Sequence, residues 1–223
     1  MLGELSSNPL GFLLWLIALV IAITIHEFAH AWAAEQLGDP TPRLMGRLTL
    51  NPLAHLDPLG TIMLLIARFG WGKPVQFDPF NLRNPRRDGA MISIAGPVSN
   101  LILAIACAIV LRFLFPYRFF LVTSPGLGIA AYFFMSLLQP LIVLNVVLAV
   151  FNLVPIHPLD GFKIVGGILP ENFAKQWAEL EGYGMIFLIF LILPFAGSSA
   201  IHKVISPVID VIISILLPTI SVI

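Results

Sequence analysis

Residues 10–37 form a single apolar run, and it carries His26-Glu27-Phe28-Ala29-His30 inside it. A membrane-spanning helix needs about 20 mostly apolar residues and satisfies its backbone polar groups internally, so few other shapes suit such a run. Gly38-Asp39-Pro40 ends it. On a helix, residues four apart share a face, so His26 and His30 can point at one metal ion. Glu27 stands one residue beyond the first histidine, within reach of a water at that ion. Two imidazoles and a carboxylate are costly in hydrocarbon, and such groups usually mark function.

Further apolar runs cover residues 90–114, 128–152, 183–195 and 200–222, the last interrupted by Pro207. Of the 223 residues, 58% are hydrophobic and 11% charged, against about 25% charged in a soluble domain. The pattern predicts one integral-membrane unit over 1–223, all-α and polytopic, with about five to six transmembrane helices. Residues 10–165 would be its catalytic core and 183–222 its C-terminal helices. Residues 1–9 carry no Lys or Arg and do not read as a removable signal peptide. Zero net charge argues against a nucleic-acid partner. The lone Cys107 allows no internal disulfide and reads as a small core residue.

Residues 59–69 are too short for an upright span and fit a short helix or re-entrant segment; residues 160–169 are also short. Between 39 and 88, Arg47-Leu48-Thr49-Leu50 and Pro74-Val75-Gln76-Phe77 read as short strands or loops against the membrane face. Arg43, Arg47, Lys73, Arg83, Arg86 and Arg87 lie between the first two long spans, which marks that side as cytoplasmic. Phe115, Tyr117, Phe119 and Phe120 fit an interfacial aromatic belt. Pro194 and Gly197 could mark a gate.

A catalytic zinc site takes three protein ligands and keeps an open position. The third-ligand candidates are Glu35, His55, Asp57, His157, Asp160 and Asp210. Glu35, five residues past His30, points away from the pair, and Asp210 has no motif near it. Asp160 is the strong candidate, in Asn152-Leu153-Val154-Pro155-Ile156-His157-Pro158-Leu159-Asp160-Gly161. Two prolines in four residues break the preceding helix, and irregular backbone at membrane depth must line a cavity or be buried. His55 and Asp57 read more readily as a loop cluster than as a second metal site.

With the motifs His26-Glu27-x-x-His30, Ala95-Gly96-Pro97-Val98-Ser99-Asn100 and Asn152-x-x-Pro155-x-x-x-x-Asp160-Gly161 in that order, the chain resembles the site-2 proteases. These are the intramembrane zinc metalloproteases of peptidase family M50, here in a form without a PDZ or CBS domain. The resemblance implies one zinc ion per chain, held by His26, His30 and Asp160. Glu27 would be the general base, and Asn152 would hydrogen-bond the substrate backbone or the oxyanion. Gly96 and Asn100 would shape the wall of the site. Residues 44–50, with 74–77 as partner, would form a membrane-associated β-hairpin that pairs with an unwound substrate. The implied substrate is a transmembrane segment of another protein in a prokaryotic cell membrane, and the last two helices would form a lateral gate. Two other readings use the same residues: a metal-ion transporter, and a zinc-binding membrane scaffold without activity. No repeated half and no second His/Asp set support transport, and the intact Glu27 argues against a scaffold. Oligomeric state is not encoded in any motif.

Overall fold

The computed structural model describes residues 7–67, 72–195 and 198–217. Three long helices carry the fold: α1 (Pro9–Gln36), α4 (Pro85–Leu114) and α6 (Gly128–Asn152). All three are long and apolar enough to cross a membrane. Between them lie α2 (Thr41–Leu44), α3 (Pro58–Ala67) and α5 (Arg118–Thr123). After them come α7 (Asp160–Ile168), α8 (Glu171–Glu179), α9 (Glu181–Ile192) and α10 (Ala200–Leu216).

Two of the three long helices start with residues suited to their ends. Asn8 caps α1 by accepting from the Gly11 N–H at 2.9 Å, ahead of Pro9 at the first helical position. Pro85 opens α4, and the Asp88 carboxylate reaches back to the Asn84 N–H at 2.8 Å. Packing between the long helices relies on small residues. Ala18, Ala22, Ala31 and Ala34 of α1, Ala104 and Ala108 of α4 and Ala149 of α6 are all buried. Lipid gives no hydrophobic reward for helix association, so close backbone approach across small side chains supplies the contact. Around Ala18 and Ala108, Cys107, Leu111, Leu138, Leu141 and Ile142 close the main apolar cluster.

The expected spans at 10–37, 90–114 and 128–152 coincide with α1, the body of α4 and α6. The last two runs form shorter helices: α9 has 12 residues and α10 has 17. At about 1.5 Å per residue both are shorter than a hydrocarbon core about 30 Å thick, so among the described residues three helices are long and apolar enough to cross, and the expected five to six spans are not confirmed. The 59–69 run gives α3, with 10 residues, and its positions 68 and 69 lie outside the described residues. Gly197 and residues 218–222 of the last run also lie outside them.

The expected hairpin at 44–50 and 74–77 does not form. Leu44 ends α2, and 45–50 are turns and bends. Pro74 has no N–H to give to a ladder. The two segments meet instead through a side chain: Arg47 donates through Nη2 to the carbonyls of Lys73 (2.5 Å) and Pro74 (2.8 Å). The one ladder among the described residues is two residues long, pairing Pro194–Phe195 with Ser198–Ser199. Asp160 also departs from expectation. The irregular stretch covers 153–159, and Asp160 is the first residue of α7 rather than part of that stretch.

Candidate metal centre

His26 and His30 project from one face of α1 toward α4, buried to 5% and 7% exposure. Both rings rest against Gly96. A Cβ there would lie 2.5 Å from His30 Nε2 and 2.7 Å from His26 Cε1, so only glycine leaves room. The irregular turn after α6 brings Asp160 to the same point. Gly161 makes that turn possible, since a Cβ on it would meet the Leu153 and Val154 carbonyls.

The three side chains converge. His26 Nε2 and His30 Nε2 are 3.0 Å apart, and Asp160 Oδ2 is 3.1 Å from the first and 3.3 Å from the second. The outer ring nitrogens decide what those inner atoms are. His30 Nδ1 lies 2.8 Å from the Ile92 carbonyl, which can only accept, so Nδ1 carries the proton. His26 Nδ1 lies 2.6 Å from Asn100 Oδ1. Asn100 spends its Nδ2 hydrogens on the Ala22 carbonyl (3.1 Å) and Asn145 Oδ1 (2.7 Å), so its oxygen is what faces His26. Both Nε2 atoms therefore present lone pairs to Asp160 Oδ2, a buried oxygen with no hydrogen-bond donor. A single proton on one nitrogen would relieve one side of that triangle. A cation relieves all three. A tetrahedral zinc ion with bonds of about 2.0–2.1 Å spaces its ligands by about 3.3 Å, close to the separations found. Two imidazoles and one carboxylate are also a donor set that zinc accepts. Among the described residues this is the one group of three or more such side chains that could hold a metal.

Glu27 accepts a hydrogen bond from the Val75 N–H at 3.0 Å through Oε2. Lys73, two residues before Val75, donates its N–H to the His55 carbonyl at 2.8 Å. Residues 73–75 thus run beside Glu27, held by Arg47. Arg47 is only 3% exposed. Burial lowers its pKa from the ordinary arginine range, and the nearby Glu27 charge opposes that shift. Below the helix end, buried Asp39 accepts from Thr41 Oγ1 (2.6 Å), Asn81 Nδ2 (2.8 Å), the Asp78 N–H (2.7 Å) and the Thr41 N–H (3.1 Å). Burial pushes its carboxyl up, but those bonds outweigh it and hold the pKa below the usual carboxylate value.

The other candidates lie elsewhere. Glu35 pairs with Arg43 Nη2 at 2.5 Å. Fully buried His55 donates through Nε2 to the Thr49 carbonyl at 2.7 Å, and Asp57 accepts from the Gly60 N–H at 2.7 Å. His157 sits 3.7 Å from Glu181, and Asp210 is exposed. Asn152, the last residue of α6, donates through Nδ2 to its own helix at the Leu148 carbonyl, 2.9 Å away. The sequence reading missed Asn145, the Ile92 carbonyl and the burial of Arg47. A lone amide in the apolar run 141–151 was the available signal for Asn145.

The family model described as "Peptidase family M50" matches residues 14–195. A Bacillus subtilis protein named "Putative zinc metalloprotease YwhC" is 41% identical over 186 residues, 83% of this chain and 82% of that protein. A Mycobacterium tuberculosis protein named "Putative zinc metalloprotease Rip2" is 31% identical over 180 residues, 78% of this chain and 64% of the relative. "Zinc metalloprotease MJ0392" of Methanocaldococcus jannaschii is 24% identical over 170 residues, 76% of this chain and 38% of that protein. No solved structure gives a significant match.

Proposed function

The chain belongs to peptidase family M50, a family of metallopeptidases, and from that premise we propose that it cuts a peptide bond within or near a transmembrane segment of another membrane protein. The observation that carries this reading is the triangle of acceptors at His26, His30 and Asp160, whose two histidines stand in a helix long enough to cross a membrane. His26, His30 and Asp160 would hold zinc, the metal named for the relatives. When bound, zinc supplies a Lewis acid that polarises a peptide carbonyl and makes water nucleophilic near neutral pH.

The chain's own groups supply the rest. Glu27 takes a proton from the attacking water and passes it to the leaving amine. The Val75 N–H holds Oε2 of that carboxylate and so fixes its rotamer. Asn152 keeps one Nδ2 hydrogen on Leu148, and its other hydrogen and its Oδ1 serve the substrate backbone or the oxyanion. The excess of basic residues between α1 and α4 supports a cytoplasmic His30 end of α1, in the membrane of a prokaryotic cell on this reading. The shortness of α3, about 15 Å, supports keeping 39–84 on one face. The short helices α9 and α10 complete the membrane portion beside the three spans.

Glu27→Gln tests the reading. The amide keeps an oxygen for the Val75 N–H, so the fold and zinc content should persist. Cleavage of a membrane-anchored reporter should fall by about 10²–10⁴-fold. A variant that cleaves at the parent's rate removes Glu27 from the mechanism.

A further inference from the structure

Asn145 touches neither Asp160 nor a histidine, yet it ends a chain of hydrogen bonds that starts at His26. It lies in the middle of α6, wholly buried, where an unsatisfied amide would be costly. Its Nδ2 donates to the Leu141 carbonyl at 2.8 Å. That carbonyl belongs to a helix backbone and cannot turn, so the Asn145 amide has one orientation: nitrogen toward Leu141, oxygen toward α4. The oxygen then accepts from Asn100 Nδ2 at 2.7 Å, and the Ala22 carbonyl takes the other Asn100 hydrogen. The Asn100 oxygen is left to face His26 Nδ1 at 2.6 Å.

Resting on the metal-site reading, we infer that Asn145 is a positioning residue that fixes the tautomer and ring angle of His26 through Asn100. Each link passes on polarity. A helix carbonyl sets an amide, that amide sets a second, and the second places the imidazole proton on Nδ1 so that Nε2 keeps its lone pair for a metal. His30 needs no such relay, because the Ile92 carbonyl binds its Nδ1 directly. The two ligands are thus held unequally. The anchor of His30 is backbone, while that of His26 is made of two side chains from two different spans. Partners that orient a ligating histidine in this way typically matter 10–100-fold in metal affinity. Had Asn145 served packing alone, the small apolar residues common at these helix contacts would have done.

The test uses the full chain in detergent, with zinc measured by chelator competition and Co²⁺ as a spectroscopic probe. Asn145→Leu removes the acceptor at similar size. Zinc binding should weaken about tenfold and the visible Co²⁺ absorption should change. Asn145→Asp, which keeps an oxygen acceptor for the Asn100 amide, should restore both. If Asn145→Leu does not fold, Asn145→Ala takes its place in the same comparison. Zinc affinity within twofold of the parent with an unaltered Co²⁺ spectrum would overturn the inference, whatever happens to the melting temperature. So would an Asn145→Asp variant as weak as Asn145→Leu. A parent protein that holds zinc no better than His26→Ala fails differently: it sinks the metal-site reading, and this inference with it.

Discussion

Gly96→Ala should separate the metal centre from the fold. The new methyl carbon would stand 2.5 Å from His30 Nε2, 2.6 Å from His30 Cε1 and 2.7 Å from His26 Cε1. Non-bonded contacts of this kind rest at about 3.5 Å, so the overlap is about 1 Å on both rings. His30 has little room to yield. Its Nδ1 is tied to the Ile92 carbonyl one turn earlier on the same helix as Gly96, so retreat from Gly96 stretches that bond. His26 is tied through Asn100 on that helix as well. Metal–ligand distances tolerate only about 0.2 Å, so a displacement several times larger should cost at least 100-fold in zinc affinity, or about 2.8 kcal/mol. Fold stability moves less. Overpacking costs about 1–3 kcal/mol, and alanine in place of glycine in a helix interior returns about 1 kcal/mol. The expected protein is therefore helical, folded and nearly metal-free. Zinc content after purification, a competition titration and a thermal melt in detergent measure the three quantities. Parental zinc affinity together with parental cleavage of a membrane reporter would refute the geometry.

Asp160→Asn leaves the two imidazoles with a neutral third group, and zinc affinity should fall by about 100-fold, at or beyond the upper end of the range for outer partners; an unchanged chelator titration would remove Asp160 from the ligand set. Arg47→Met strips two charge-assisted bonds from the Lys73 and Pro74 carbonyls, each worth about 1.5–3 kcal/mol when buried. Amide exchange at Val75 should quicken and cleavage should fall several-fold while zinc stays bound, and unaltered exchange at Val75 would contradict the clamp. Asp39 gives a pH signature. Its folded pKa is depressed, so its contribution is complete above the ordinary carboxylate value of about 4 and drains away as pH falls through the folded value. Asp39→Asn sets an amide donor against the N–H donors around it and should cost about 1–3 kcal/mol at neutral pH. Its melting temperature should fall less steeply than the parent's as pH drops below about 4. Parallel curves would deny Asp39 that role.

The long spans were legible because their lengths and compositions leave a backbone nothing else to do in lipid. The His26, His30 and Asp160 positions were legible because helix periodicity and a proline-broken turn are local properties. What escaped was decided by tertiary partners. Arg47-Leu48-Thr49-Leu50 alternates as a strand does, but its first side chain turns inward to bind Lys73 and Pro74, and Pro74 cannot extend a ladder. Asp160 reads as part of an irregular stretch, yet it starts a helix, because Gly161 lets the chain turn under the Leu153 and Val154 carbonyls. No spacing rule links Asn145 to Asn100, which lie 45 residues apart and meet only when α4 and α6 pack.

That packing and the metal chemistry draw on the same contacts. In lipid the helices gain nothing from apolar burial, so α1, α4 and α6 are held by close small residues and by interhelical hydrogen bonds. The principal bonds of the second kind run through Asn100, which ties Ala22 of α1, His26 of α1 and Asn145 of α6 to α4. On the proposed function, polar groups kept at membrane depth for hydrolysis lend their outer atoms as the glue between spans. The inner atoms then stay unpaired by construction, since every proton on the rings already points outward. Loss of Asn100 would thus loosen the bundle and the ligand together, whereas changes at Gly96 or Asp160 strike the inner triangle alone. The separation predicted for Gly96→Ala follows from this division between outer atoms that hold helices and inner atoms that hold a cation.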